Sequence, residues 1–237
     1  MIFLRLVCKI RVTTIKEVVQ VKLKKGQKLL FIGDSITDCD RAKPDGEGLF
    51  GALGNGYVSI VNAFLLSTYP ELGIRVVNKG ISGNRVRDLK ERWQEDVVAQ
   101  KPDWLSIMIG INDVWRQYDT PFIKDNHVYV EEYEETLRKL VNQTTPNVEG
   151  LVLMTPYYLE TNKDDQMRKT MDKYGAIVQK IAEETDSIFI DTQAVFDQVL
   201  ENLYPATLAW DRVHPNEAGH MLLARAFLTK LGFNWSK

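Results

Sequence analysis

Cysteine and histidine are scarce in this 237-residue chain: there are two cysteines, Cys8 and Cys39, and three histidines. Two cysteines 31 positions apart make no metal-type pair and cannot form a disulfide framework. Charge of one sign is also lacking, with a formal net charge of −2 and 26% charged residues. Nucleic acids and anionic membranes select a basic face, so neither is an expected partner. No apolar run reaches the about 18 residues that a membrane-spanning helix needs. The first four residues resemble the start of a secretion signal, but Arg5, Lys9 and Arg11 interrupt it. No small-residue cleavage site follows, which argues against secretion and for a cytoplasmic protein. Residues 1–20 read as an N-terminal extension or a misplaced translation start, and residues 21–237 as one domain.

What is present is an alternation. Short segments at 29–32, 75–78, 104–109, 151–154 and 187–191, each built around apolar residues, have the length of buried strands. Between and after them, segments near 57–69, 86–99, 129–140, 167–185 and 193–203 carry apolar residues at helical spacing, and a last helix buries Leu223, Phe227 and Leu231. Each crossover is long enough to return parallel to the preceding strand. The expected fold is therefore α/β: a five-stranded parallel sheet between two layers of helices. Cys39 to Gly56, with five glycines at 46, 48, 51, 54 and 56, reads as a loop. The Gly-Lys-Ser/Thr ending of a phosphate-binding loop is missing, so this loop is expected to rim a pocket instead. His127 lies in a polar stretch and reads as a surface residue.

Three strand ends carry chemistry. The first turns at Gly33 and presents Asp34 and Ser35, at the sheet edge where open α/β proteins bind ligands. The second runs into Lys79-Gly80-Ile81-Ser82-Gly83, where a glycine can aim its N–H into a site or merely close a turn. The third ends at Gly110-Ile111-Asn112-Asp113, where the Asn112 amide is a donor or the start of an Asx turn. Trp115, Tyr118 and Trp210 are candidates for stacking on sugar rings or for core packing. Near the C-terminus, Asp211 and His214 stand three apart before the last helix. A serine hydroxyl is barely nucleophilic without a base, and histidine, with an unperturbed pKa of about 6.5, is the natural one. A carboxylate on the far ring nitrogen would fix its tautomer. Helix capping by Asp211 and His214 is the plainer alternative. His220 falls within the last helix and reads as structural.

Gly33-Asp34-Ser35, Gly83 in Gly-Ile-Ser-Gly, Asn112 in Gly-Ile-Asn-Asp and Asp211-x-x-His214 resemble, in order and spacing, the four blocks of the SGNH (GDSL) hydrolases. Phe31 to Asp38, Val77 to Asn84 and Ile109 to Tyr118 look closer still to intracellular acetylxylan esterases of bacilli. The resemblance implies a flavodoxin-like three-layer α/β/α fold, with Ser35 as nucleophile, His214 as base and Asp211 as its orienting acid. It implies an oxyanion hole of the Ser35 N–H, the Gly83 N–H and the Asn112 side chain. Asp34, Trp115, Tyr118 and Trp210 are the candidate substrate contacts. No metal or cofactor is called for, the substrate is a small acetylated oligosaccharide, and a homo-oligomer is expected. Lysophospholipase or thioesterase activity on another acyl group is the nearby alternative, and a non-catalytic sugar-binding domain the distant one. The Gly-x-Ser-x-Gly elbow of larger α/β hydrolases is absent.

Overall fold

The computed structural model describes residues 21–237. Residues 1–20, with the extension assigned to them and Cys8, lie outside the described residues. Five strands, β1 (Lys28–Gly33), β2 (Arg75–Asn78), β3 (Trp104–Met108), β4 (Gly150–Met154) and β5 (Ile188–Ile190), form one parallel sheet in the order β2-β1-β3-β4-β5. β1 and β3 are buried over almost their whole length, which is why their sequences are continuous apolar runs rather than alternating ones. The order reverses between β1 and β3. Loops leaving the two strands there diverge to opposite sides of the sheet and open a crevice.

Helices cover both faces. α2 (Tyr57–Thr68), α7 (Thr192–Leu200) and α8 (Glu217–Lys230) pack together on one side; α3 (Val86–Trp93), α5 (Val130–Thr144) and α6 (Gln166–Glu184) pack on the other. Phe31 on β1 is the hinge of the first layer. Its ring lies 5.6 Å from Tyr57 of α2 and 4.9 Å from Phe227 of α8. Aromatic pairs of this kind add ~0.5–1.5 kcal/mol beyond the area they bury. In the second layer Tyr133 and Tyr174 meet at 4.6 Å, and the Tyr133 hydroxyl donates to the Ile109 carbonyl. No helix among the described residues is long and apolar enough to cross a membrane.

Two short helices depart from the expected pattern. α1 (Ser35–Asp38) and α4 (Ile111–Asp119) begin where turns were expected. Gly110 adopts φ 132°, a conformation open to glycine, and so lets the chain pass from β3 into α4 within two residues. Trp115 and Tyr118 therefore ride on a helix. The helix expected over 86–99 is α3 followed by a wider π-helical turn, Gln94–Val98.

One expectation holds only in part and another fails. The loop from Cys39 to Gly56 reaches the pocket that holds Ser35 through its first residues, Cys39 and Asp40, but none of its glycines lines it. The glycine-bearing part packs behind α1: the Asn55 N–H donates to the Cys39 carbonyl, and a side chain at Gly54 would meet that same oxygen at 2.4 Å. His127 is buried rather than exposed, held between the Tyr129 hydroxyl and the Thr120 carbonyl, because the polar loop folds back over it.

His220 is buried as expected of a structural residue. Its Nδ1 accepts the Tyr57 N–H at the start of α2, and its Nε2 lies 3.2 Å from Cys39 Sγ. Burial, helped by the nearby His214, depresses it to about 4. Between that value and about 6.5, the unfolded chain binds a proton that the folded chain refuses. Stability from this group is therefore whole above about pH 6.5 and drains as pH falls, by on the order of 3 kcal/mol at pH 4. Denaturant melts of wild type and His220→Asn across that window should converge at the acid end. A constant gap between the two curves would remove His220 from the account.

Candidate active site

The crevice at the β1/β3 reversal gathers residues from four connections. Ser35 opens α1 directly after β1. The preceding Asp34 caps that helix by accepting the Ile36 N–H at 3.0 Å. This cap turns the chain so that the serine oxygen faces out of the sheet edge while the Asp34 carboxyl is fully buried. Burial pushes Asp34 up to about 7, against the pull of the Ile36 N–H and His214. Asp34 is thus a buried structural acid beneath the site, not part of the pocket wall.

From the far end of the chain, His214 Nε2 lies 2.8 Å from Ser35 Oγ, and His214 Nδ1 lies 2.6 Å from Asp211 Oδ2. The tautomer with its proton on Nδ1 satisfies both contacts, leaving Nε2 to accept from the serine. Asp211 Oδ1 accepts the backbone N–H groups of Val213 and His214, which locks the short turn. Partial burial disfavours the Asp211 charge. Hydrogen bonds from the His214 ring, the His214 N–H and the Val213 N–H outweigh it and hold the carboxyl below its ordinary range. Arg212 between them takes φ 65°, so the turn carries strained backbone at a functional position.

Opposite the serine stand two further groups. Gly83 lies in the β2–α3 loop with φ 83°. The Asn112 amide in the first turn of α4 gives one Nδ2 hydrogen to the Asn84 carbonyl at 3.0 Å. Arg116 Nη2, 3.4 Å from Asn112 Oδ1, fixes the amide's other end. The second Nδ2 hydrogen is thereby left for the crevice. Neither the Ser35 nor the Gly83 backbone N–H donates to another group among the described residues. Ser35, Gly83, Asn112 and His214 line a pocket of about 380 Å³ together with Cys39, Asp40, Ser82, Trp115 and Arg116.

The aromatic candidates separate. The Trp115 ring sits 5.9 Å from the His214 ring and 5.2 Å from the Arg116 guanidinium, inside the pocket wall. The Tyr118 hydroxyl instead pairs with the Gln166 carbonyl and Thr170 on α6, outside that pocket. Trp210 is 84% exposed and also outside it. Arg116, within the Ile109–Tyr118 block, and Cys39, at the start of the glycine-rich loop, are pocket residues without an individual role in any sequence motif. Among the described residues, no cluster of three or more His, Cys, Asp or Glu side chains could hold a metal ion.

Comparison with known proteins gives a coherent picture. An acetylxylan esterase of Geobacillus stearothermophilus is 69% identical over 215 residues, covering 91% of this chain and 98% of that protein. The crystal structure of that organism's acetylxylan esterase Axe2 superimposes with a TM-score of 0.89 at 70% identity, over 90% of this chain and 98% of the other. LAE5, an alpha/beta hydrolase from the metagenome of Lake Arreo, matches at 52% identity and a TM-score of 0.89, over 90% and 99% of the two chains. Structures of Axe2 catalytic mutants replace a serine, a histidine and an aspartate by alanine. Those residues keep the separations found here, 179 from serine to histidine and 3 from aspartate to histidine. The sequence profile of the GDSL-like lipase/acylhydrolase family matches residues 31–222, and the chain belongs to that family.

Proposed function

We infer that this chain is a serine esterase that removes acetyl groups from acetylated xylo-oligosaccharides. The observation that carries the reading is the hydrogen-bonded series Ser35–His214–Asp211, at 2.8 and 2.6 Å, in a pocket open to a sugar ester. Identity of 69% to an acetylxylan esterase over 91% of the chain supports the substrate class.

In this reading Ser35 Oγ attacks the acetyl carbonyl carbon while its proton passes to His214 Nε2. The carbonyl oxygen becomes an oxyanion held by the Ser35 N–H, the Gly83 N–H and the free Nδ2 hydrogen of Asn112. His214 then gives its proton to the departing sugar oxygen, the carbon–oxygen bond breaks, and acetyl stays on Ser35. A water, deprotonated by His214, attacks that ester. Collapse of the second oxyanion returns the proton to Ser35 and frees acetate. Asp211 holds the ring and stabilises the imidazolium in both halves. Each oxyanion donor contributes ~2.7–4 kcal/mol to such a transition state. Trp115, between His214 and Arg116, is the substrate platform, and Trp210 and Tyr118 are assigned outer contacts only.

The reading takes residues 21–237 as one catalytic domain of a cytoplasmic enzyme built from identical subunits; light scattering on the eluting protein measures the subunit count. Substrate class is tested by acetate release, followed by NMR, from acetylated xylobiose against p-nitrophenyl octanoate. Rapid deacetylation of the sugar with slow octanoate turnover is expected. The opposite order would assign the pocket to longer acyl chains.

A further inference from the structure

Asp113 is fully buried in the first turn of α4, directly after Asn112. Its Oδ1 accepts the Val86 N–H at 2.9 Å, and its Oδ2 is buried without a partner. Val86 is the first residue of α3, and the opening N–H groups of a helix have no acceptor within that helix. The acceptor here comes from another element. Asn112, one residue earlier, bonds the Asn84 carbonyl. Two successive residues of α4 thus hold Asn84, next to Gly83 in the β2–α3 loop, and Val86, where that loop enters α3. On the loop's other side, Asp38 of α1 accepts both the N–H and the hydroxyl of Ser82 at 3.0 Å. Gly83 is fastened on both flanks, and its own φ of 83° needs no side chain to keep it there.

We propose that Asp113 is a positioning residue that fixes the Gly83 N–H relative to the Asn112 amide, and so sets the spacing of two oxyanion donors. The inference rests on reading Gly83 and Asn112 as those donors. Asp113 touches no substrate atom; it acts through Val86. It needs only one acceptor oxygen to do so. Burial pushes its carboxyl up to about 8, opposed by the Val86 N–H and its own N–H, with Asp34 and Asp88 adding to the rise. That rise favours the uncharged acid at neutral pH, and asparagine reproduces the shape and acceptor of that form without a charge.

The test compares Asp113→Leu, Asp113→Asn, Asn112→Ala and the double variant Asp113→Leu/Asn112→Ala on p-nitrophenyl acetate at pH 7. Rates are counted per serine labelled by an organophosphate, so unfolded protein does not enter them. Leucine keeps the branching at Cγ in a larger side chain and leaves the Val86 N–H without an acceptor. Asp113→Leu should lose roughly 10²-fold in kcat, the scale of a small misplacement of catalytic groups, with KM moved by no more than about twofold. Asp113→Asn should recover kcat to within about fivefold of wild type, which lost packing alone would not explain. The double variant should be about tenfold or more faster than the product of the two single losses, because both act on one hole. Independent multiplication of the two losses overturns the proposal, as does an asparagine variant no better than leucine. Wild-type turnover in Asn112→Ala would instead remove the oxyanion reading itself, so the two failures are told apart.

Discussion

Ser35→Ala should abolish turnover of aryl acetates, by on the order of 10⁵–10⁶ in kcat, while the protein melts within a few degrees of wild type. The rate falls because no other oxygen is placed to attack. The fold persists because Ser35 is only partly buried and loses a single hydrogen bond, to a ring that is itself 45% exposed. Such a bond contributes ~0.5–1.5 kcal/mol. The wild type should take up a serine-directed organophosphate on the peptide holding Ser35, and the variant should not. A variant turning over within about tenfold of wild type would displace Ser35 as nucleophile. Unchanged labelling of the variant would do the same.

Gly80→Ala should damage both stability and rate. A methyl group there would sit 2.2 Å from the Asp38 nitrogen, 2.6 Å from the Thr37 carbonyl carbon and 2.7 Å from the Asp38 Cα. All three are backbone atoms of α1, so no side chain can swing aside. Nor is the glycine free to move, since its N–H donates to Asn78 Oδ1 and its carbonyl accepts Arg41 Nε. The loop must back away from the helix, at ~3 kcal/mol or more. For a domain of this size that corresponds to a melting point lower by roughly 6–12 °C. Gly83 lies three residues further on, and its displacement should cost about 10²-fold in kcat. Gly175→Ala is the matched control, because a methyl there meets only Thr155 at 3.7 Å and improves helix propensity. A Gly80→Ala protein as stable as that control would show that the close approach is soft.

These two residues show how unevenly the sequence discloses its design. The central strands were readable because a parallel sheet covered on both faces demands apolar runs, as at 29–32 and 104–109. Ser35, Asp211 and His214 were readable because the chemistry proposed for them needs those side chains at those places, and the structure brings them together. Gly80 looked like an ordinary turn glycine. Its constraint comes from α1, about forty residues earlier in the chain, and no local pattern reports such a contact. α4 was hidden for a different reason: Gly-Ile-Asn-Asp is good turn chemistry, and the helix it opens is stabilised by packing rather than by propensity. Asp113 escaped with it. Within a turn an aspartate is an ordinary polar residue, and only the fold reveals that it is buried against the start of another helix. His127 was misread because polar neighbours suggested exposure, while the loop closes over the ring.

The long separation between the serine and its base bears on how the enzyme comes into being. Strand β1 is made early, and so are the loops bearing Gly83 and Asn112. A nascent chain finished as far as α7 already owns the proposed nucleophile and every proposed oxyanion donor, yet lacks His214 beside them. Domains form as units while synthesis proceeds from the N-terminus. Here the capacity to cleave an ester arrives last, when the final turn swings onto the sheet edge and α8 docks on α2. If His214 is the base, partial translation products of this gene should be catalytically silent, however much of their core has condensed.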